Sequence, residues 1–175
     1  MKLIRLTPTL NLSGFDCGDD DLNGFLIEDA LNFAEKRIAN TFVLEDGGNI
    51  VAYFCLLNDK ISQQEVSNNQ WKKIKKVFPT GKHFNSYPAI KIGRFAVNAS
   101  YRGQKIGSDL MNLLKDMLNG DPIYSAFRFL TVDAYISAIG FYQHNNFKLL
   151  SEKSASEHTR LMFFDMLELP SPGAV

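Results

Sequence analysis

The chain has 175 residues, 45% of them hydrophobic and 22% charged, with 19 basic and 19 acidic side chains and a formal net charge of zero. That size and balance fit one soluble domain with a real core; they exclude a disordered chain and a global electrostatic pull toward nucleic acid or membrane. Two cysteines, Cys17 and Cys55, are too few for a disulfide framework, and His83, His144 and His158 lack ligand spacing, so no metal is expected.

Residues 2–6 read as a short first strand, and residues 1–12 lack the long apolar stretch of a signal peptide or anchor. With reduced thiols, the expected compartment is the cytoplasm. From Asp19 the period changes: Leu22, Phe25, Leu26, Ala30, Phe33 and Ala34 recur at three- and four-residue spacing, predicting a helix with Asp19, Asp20 and Asp21 at its start. Residues 41–44 and 50–57 around Gly47-Gly48 predict an antiparallel hairpin. A short helix is expected over 68–77, ended by Pro79 and Gly81, and a strong strand over 89–98. Residues 106–118 are expected to be helical, with Ile106, Leu110, Leu113, Leu114 and Met117 on one face. A doubly buried strand over 127–132, a helix over 137–144, a strand from 147 and a long last strand over 159–169 complete the chain. An antiparallel front half thus runs into a β-α-β unit, which requires a parallel pair. Residues 1–169 are expected to form one domain, with 170–175 as a tail.

The chemistry concentrates where the strand ending at Asn98 meets the helix starting at Ile106. Backbone N–H groups at such a junction lack intrahelical partners and can form an anion site, which glycines let a bulky pyrophosphate approach closely; the alternative is a tight β-α turn with solvated basic residues. Arg102 and Lys105 add positive charge there. The turn lacks both the Gly-Lys-Ser/Thr ending of an NTPase loop and the three-glycine dinucleotide fingerprint.

Arg102-Gly103-Gln104-Lys105-Ile106-Gly107 resembles the pyrophosphate loop of the GNAT acetyltransferases, with Lys105 where the first glycine is usual. The resemblance extends upstream to Gly93-Arg94-Phe95-Ala96-Val97. Downstream it covers Leu130 to Ala134, Phe141-Tyr142 and Asn145-Asn146-Phe147, with Asn146 in place of a glycine. It implies an α/β (α+β) fold with a mixed sheet of six to seven strands, strands four and five parallel and splayed, and about four flanking helices. It also implies acetyl-CoA as co-substrate, bound by Phe95, Ala96 and Val97 along the pantetheine arm and by Arg102, Gly103, Gln104, Lys105, Ile106, Gly107 and Ser108 at the pyrophosphate. By the same resemblance the N–H of Val97 polarises the thioester carbonyl and Tyr142 protonates the departing thiolate.

A finer similarity, Phe15-Asp16-Cys17-Gly18 with Leu22, Phe25 and Leu26, points to the GNAT branch that contains tRNA-acetylating toxins of toxin–antitoxin pairs. Lys72, Lys73, Lys75 and Lys76 around Trp71, followed by Lys82 and His83, form a local basic patch that could hold a tRNA backbone while the Trp71 ring stacks. The alternative for this patch is a solvated helix face with Trp71 in the core. The fourth strand carries no acid to serve as base. A lysine amine of pKa about 10.4 needs one, whereas an α-amine near about 8 is already substantially neutral. That favours the α-amine of an aminoacyl-tRNA; the alternative is a base supplied from elsewhere, by Asp133 or Glu28. A small amine, a protein N-terminus, and a non-catalytic acyl-CoA-binding module stay open. Partners implied are an antitoxin protein and a second copy of the chain in a homodimer, for which the last strand, with exposed Met and Phe positions, is a candidate edge.

Overall fold

The computed structural model describes residues 1–76, 84–120, 125–150 and 157–170. Pro79, Gly81, Lys82, His83 and the tail beyond Pro170 lie outside the described residues. Among the described residues, seven strands form one mixed sheet in the order β1-β2-β3-β4-β5-β7-β6, with β4 and β5 parallel. They are β1 (Lys2–Arg5), β2 (Asn40–Asp46), β3 (Asn49–Ser62), β4 (Ser86–Val97), β5 (Phe129–Tyr135), β6 (Lys148–Leu149) and β7 (Thr159–Asp165). The chain divides into two compact units, Met1–Leu57 with Ile92–Leu118, and Asn58–Lys91 with Asn119–Val175.

In the first unit, β1 pairs antiparallel with β2, and β2 with β3 across the Gly47-Gly48 turn. Both glycines take positive φ, 57° and 89°, the geometry that matches a two-residue hairpin to strand twist. The predicted first helix forms in three pieces: α1 (Asp20–Gly24), a π-helical turn (Phe25–Asp29) and α2 (Ala30–Glu35). Asp19 caps it, accepting from the Leu22 N–H at 3.0 Å. In the π turn the Ala30 N–H reaches back five residues to the Phe25 carbonyl. Phe25, Leu26 and Ala30 are buried against Phe15, Val43, Tyr53 and Cys55, and the Tyr53 hydroxyl donates to the Leu22 carbonyl at 2.7 Å. Helix α4 (Ile106–Asn119) buries Ile106, Leu110, Met111, Leu114 and Lys115. Leu113 and Met117, expected on the inner face, are 44% and 37% exposed: the buried stripe is rotated toward Met111 and Lys115.

In the second unit, α3 (Asn68–Lys75) starts at Ser67, whose hydroxyl accepts from the Gln70 N–H. It buries Trp71 and Ile74 against Ile61, Val66, Tyr87, Phe129 and Leu150. Phe129, Leu130, Thr131 and Val132 of β5 are all buried, as a strand covered on both faces must be. A 3-10 turn, Ile136–Ala138, leads into α5 (Ile139–His144). The last strand departs from expectation. It stops at Asp165, whose carboxylate turns back to cap a 3-10 turn by accepting from the Leu167 N–H at 3.1 Å. It is also not a sheet edge: β7 lies between β5 and β6, and Met162 and Phe164 are buried.

Candidate active site

Within the first unit, β4 ends at Val97 and the chain enters a tight loop. Buried Asn98 organises it: its Oδ1 accepts from the Ser100 N–H at 3.0 Å, and its Nδ2 donates to the Gly14 carbonyl at 3.1 Å. A short 3-10 turn, Ala99–Tyr101, follows, and then the segment that leads into α4. Gly103 takes φ 78° and Lys105 takes φ 62°, so two of the four residues before α4 are left-handed. Lys105 therefore adopts the backbone that its glycine counterpart would supply, at the steric cost a side chain carries there. The Asp109 N–H donates to the Lys105 carbonyl at 3.1 Å, closing the first helical turn, ahead of which the N–H groups have no intrahelical acceptor. Arg102, Gly103, Gln104 and Lys105 are exposed, Gly107 and Ser108 half-buried, and Ile106 anchors the helix in the core. Phe95 and Val97 are half-buried, and Ala96 between them is buried.

The Arg102 guanidinium turns toward the loop before α1, where its Nη2 donates to the Cys17 carbonyl. Arg94, on β4, lies over the Phe25 ring at 5.2 Å and reaches Asp21 at 3.4 Å. Gly93 is closely approached: an added Cβ would lie 2.7 Å from Leu57 Cδ2 and 2.9 Å from Cys55 Sγ, so one of these side chains would have to shift. Burial pushes the Cys55 thiol up to about 11.

Within the second unit, Tyr142 of α5 is buried between Phe141 and Phe147, with ring centroids at 5.2 and 5.4 Å in edge-to-face contact. Burial pushes its phenol well above the ordinary tyrosine range, so it keeps its proton at neutral pH. Asn146, at φ 65°, ends the helix in the left-handed cap that its glycine counterpart would form. Of the two carboxylates considered as bases, Asp133 is ion-paired with Lys91 and Glu28 stands exposed on the π turn. Asp59 was not singled out by the sequence; its Oδ2 accepts from the buried Thr131 hydroxyl at 2.6 Å. Nothing in the local pattern of β3 marks it, because its partner lies 72 residues away.

On α3, Lys72, Lys73 and Lys76 are exposed, and Lys75 is half-buried with its ammonium 6.0 Å from the Trp71 ring centroid. Trp71 is only 3% exposed and packs on Tyr87 at 5.3 Å. Its ring is unavailable for stacking on a nucleobase: the bulky apolar indole belongs to the core, while Lys72, Lys73 and Lys76 face solvent.

Comparison with known proteins agrees with this geometry. A family model described as an acetyltransferase (GNAT) domain matches residues 37–149, well over half of the chain. The structure is similar to that of AtaT complexed with acetyl-methionyl-tRNAfMet, at TM-score 0.78 and 21% identity over 95% of each chain. It is also similar to a tyrosine-to-phenylalanine mutant of KacT, at TM-score 0.75 and 23% identity over 96% of this chain and 97% of that one. A third solved structure, AtaTR bound with AcCoA, matches at TM-score 0.74 and 21% identity over 95% of this chain and 94% of that one. At these identities the likeness to solved structures carries the fold, and the family match carries the acetyl-CoA-dependent chemistry. With a left-handed loop opening α4 after β4, and the family model spanning both, the chain belongs to the GNAT acetyltransferases.

Proposed function

We propose that the acceptor is the α-amine of an aminoacyl-tRNA and that the chain is the toxin of a toxin–antitoxin pair acting in the cytoplasm. The observation that carries this reading is the exposed lysine face of α3, formed by Lys72, Lys73 and Lys76 on a chain whose net charge is zero. A concentrated patch on a neutral protein suits a polyanionic backbone, and lysines bind phosphate as point charges. The absence of any acid in β4 supports an acceptor that is substantially neutral without a base. The similar structures give further support: AtaT is seen with an acetylated methionyl-tRNA, and an AtaT mutant is seen bound to the C-terminus of the antitoxin AtaR.

In this reading Phe95, Ala96 and Val97 present strand backbone to the pantetheine arm. The segment that Arg102 opens holds the pyrophosphate through the N–H groups of Gly103, Gln104, Lys105, Ile106, Gly107 and Ser108, the Arg102 N–H itself donating to the Ala99 carbonyl. The Val97 N–H stabilises the developing oxyanion as the amine nitrogen bonds to the acetyl carbon. When the carbon–sulfur bond breaks, Tyr142 gives its proton to the sulfur and regains one released from the amine through solvent.

The test is release of free thiol from acetyl-CoA in the presence of charged tRNA. The expected result is release with aminoacyl-tRNA and none with deacylated tRNA. A variant carrying Lys72→Glu, Lys73→Glu and Lys76→Glu is expected to raise KM for tRNA and leave KM for acetyl-CoA unchanged. Thiol release with a polyamine or a peptide N-terminus, and none with any charged tRNA, would overturn the acceptor.

A further inference from the structure

The Phe15-Asp16-Cys17-Gly18 element has no part in the chemistry above, yet it is bonded to the coenzyme loop at several points. The Asp16 carbonyl accepts from the Ala99 N–H at 2.8 Å, the Gly14 carbonyl accepts from Asn98 Nδ2, and the Cys17 carbonyl accepts from the Arg102 guanidinium. The turn that presents these carbonyls is itself braced. Asp16 Oδ1 accepts from the Gly18 N–H at 2.7 Å and from Asn23 Nδ2 at 2.8 Å, and Asn23 Oδ1 accepts from the Cys17 N–H at 2.9 Å. Gly18 closes the turn at φ 74°.

We propose that Arg102 is a positioning residue and not a phosphate ligand: it struts the pyrophosphate loop against the Asp16-Cys17-Gly18 turn. The proposal rests on residues 102–108 being the coenzyme loop. The bond to Cys17 pins the chain one residue before Gly103 and three before Lys105, the two left-handed positions that give the loop its shape. The Gly18 N–H and Asn23 hold the Asp16 carboxyl below its ordinary range, and that carboxylate belongs to the same turn whose Cys17 carbonyl accepts the Arg102 guanidinium. That is a poor place to gather phosphate and a good place to fix a guanidinium.

The two roles differ in the sign of one substitution. Asp16→Ala removes a negative charge close to an anion site, so if Arg102 bound phosphate directly, acetyl-CoA would bind more tightly. A strut predicts the opposite: the turn loosens and acetyl-CoA binds about three- to tenfold more weakly, the loss of one or two hydrogen bonds. Isothermal titration of the full chain with acetyl-CoA reads this directly. Steady-state kinetics is expected to show a raised KM for acetyl-CoA with kcat and acceptor KM unchanged. Asp16→Ala combined with Arg102→Ala is expected to be no worse than Arg102→Ala alone, because both act through one turn. Tighter binding by Asp16→Ala, or full additivity in the double variant, would overturn the strut. Should Asp16→Ala not unfold cooperatively, the neutral change Asn23→Ala replaces it, and unchanged binding there overturns the proposal equally. An unmodified chain that takes up no acetyl-CoA would instead overturn the assignment of the loop, and the strut with it.

Discussion

Lys105 offers a separable test of backbone strain and charge, because glycine and alanine at that position share the loss of the ammonium but not the steric problem. At φ 62° a residue with a Cβ costs about 1–2 kcal/mol relative to glycine. Glycine gives back about 0.4–1 kcal/mol through the freedom of its unfolded chain. The net expectation is that Lys105→Gly is more stable than Lys105→Ala by about 0.5–1 kcal/mol. For a chain of 175 residues that is about 1–4 °C in Tm, within reach of differential scanning calorimetry without ligand. Both variants lose an exposed charge worth about 0.2–1 kcal/mol, so both are expected to bind acetyl-CoA about 1.5- to 5-fold more weakly than the parent by titration calorimetry. If Lys105→Ala equals or exceeds Lys105→Gly in Tm, the left-handed backbone at Lys105 is not the strained element of the loop. If affinity does not fall in either variant, the ammonium has no part in binding the coenzyme.

Tyr142→Phe is expected to bind acetyl-CoA normally and to lose about a hundredfold in kcat, and equal turnover would remove the phenol from the mechanism. Gly93→Ala places a methyl against Leu57 and Cys55, an overpacking expected to cost about 1–3 kcal/mol; an unchanged melting profile would show that the site relaxes freely. Cys55 gives a pH test. Its folded pKa of about 11 lies above the ordinary 9.0, so its contribution is fully present below pH 9 and is lost as pH rises toward 11. Denaturant titrations of Cys55→Ala are therefore expected to lose stability less steeply over that window than the parent, and parallel profiles would refute the burial argument.

The elements legible in the sequence were those fixed by local chemistry. Gly47-Gly48 announced its hairpin because both residues need positive φ, and Asp19 announced a helix start because its side chain reaches the Leu22 N–H within the same turn. Lys105 and Asn146 were marked as glycine substitutes by resemblance alone, and both occupy left-handed backbone. What stayed hidden depended on partners distant in the chain. The face of α4 was misjudged toward Leu113 and Met117 because periodicity gives a stripe but not which neighbour covers it. Trp71 amid lysines has the same composition as a stacking platform and as a buried anchor, and only its contact with Tyr87 decides between them. The bond from Arg102 to Cys17 joins residues 85 positions apart, beyond the reach of any local rule.

The π-helical turn at Phe25–Asp29 holds one residue more than an α turn would, and the surplus falls on its exposed side, where Ile27 is 50% exposed. A deletion inside an ordinary helix turns every later side chain by about 100°, which would carry a core face out into water. Here the first helix has slack. Removing Ile27 can be absorbed by closing the turn as α, with Phe25, Leu26 and Ala30 still directed into the core. Loss of one residue is thus tolerable at this position of the helix, so a deletion there can alter the outward surface of the first helix without disturbing the sheet beneath it.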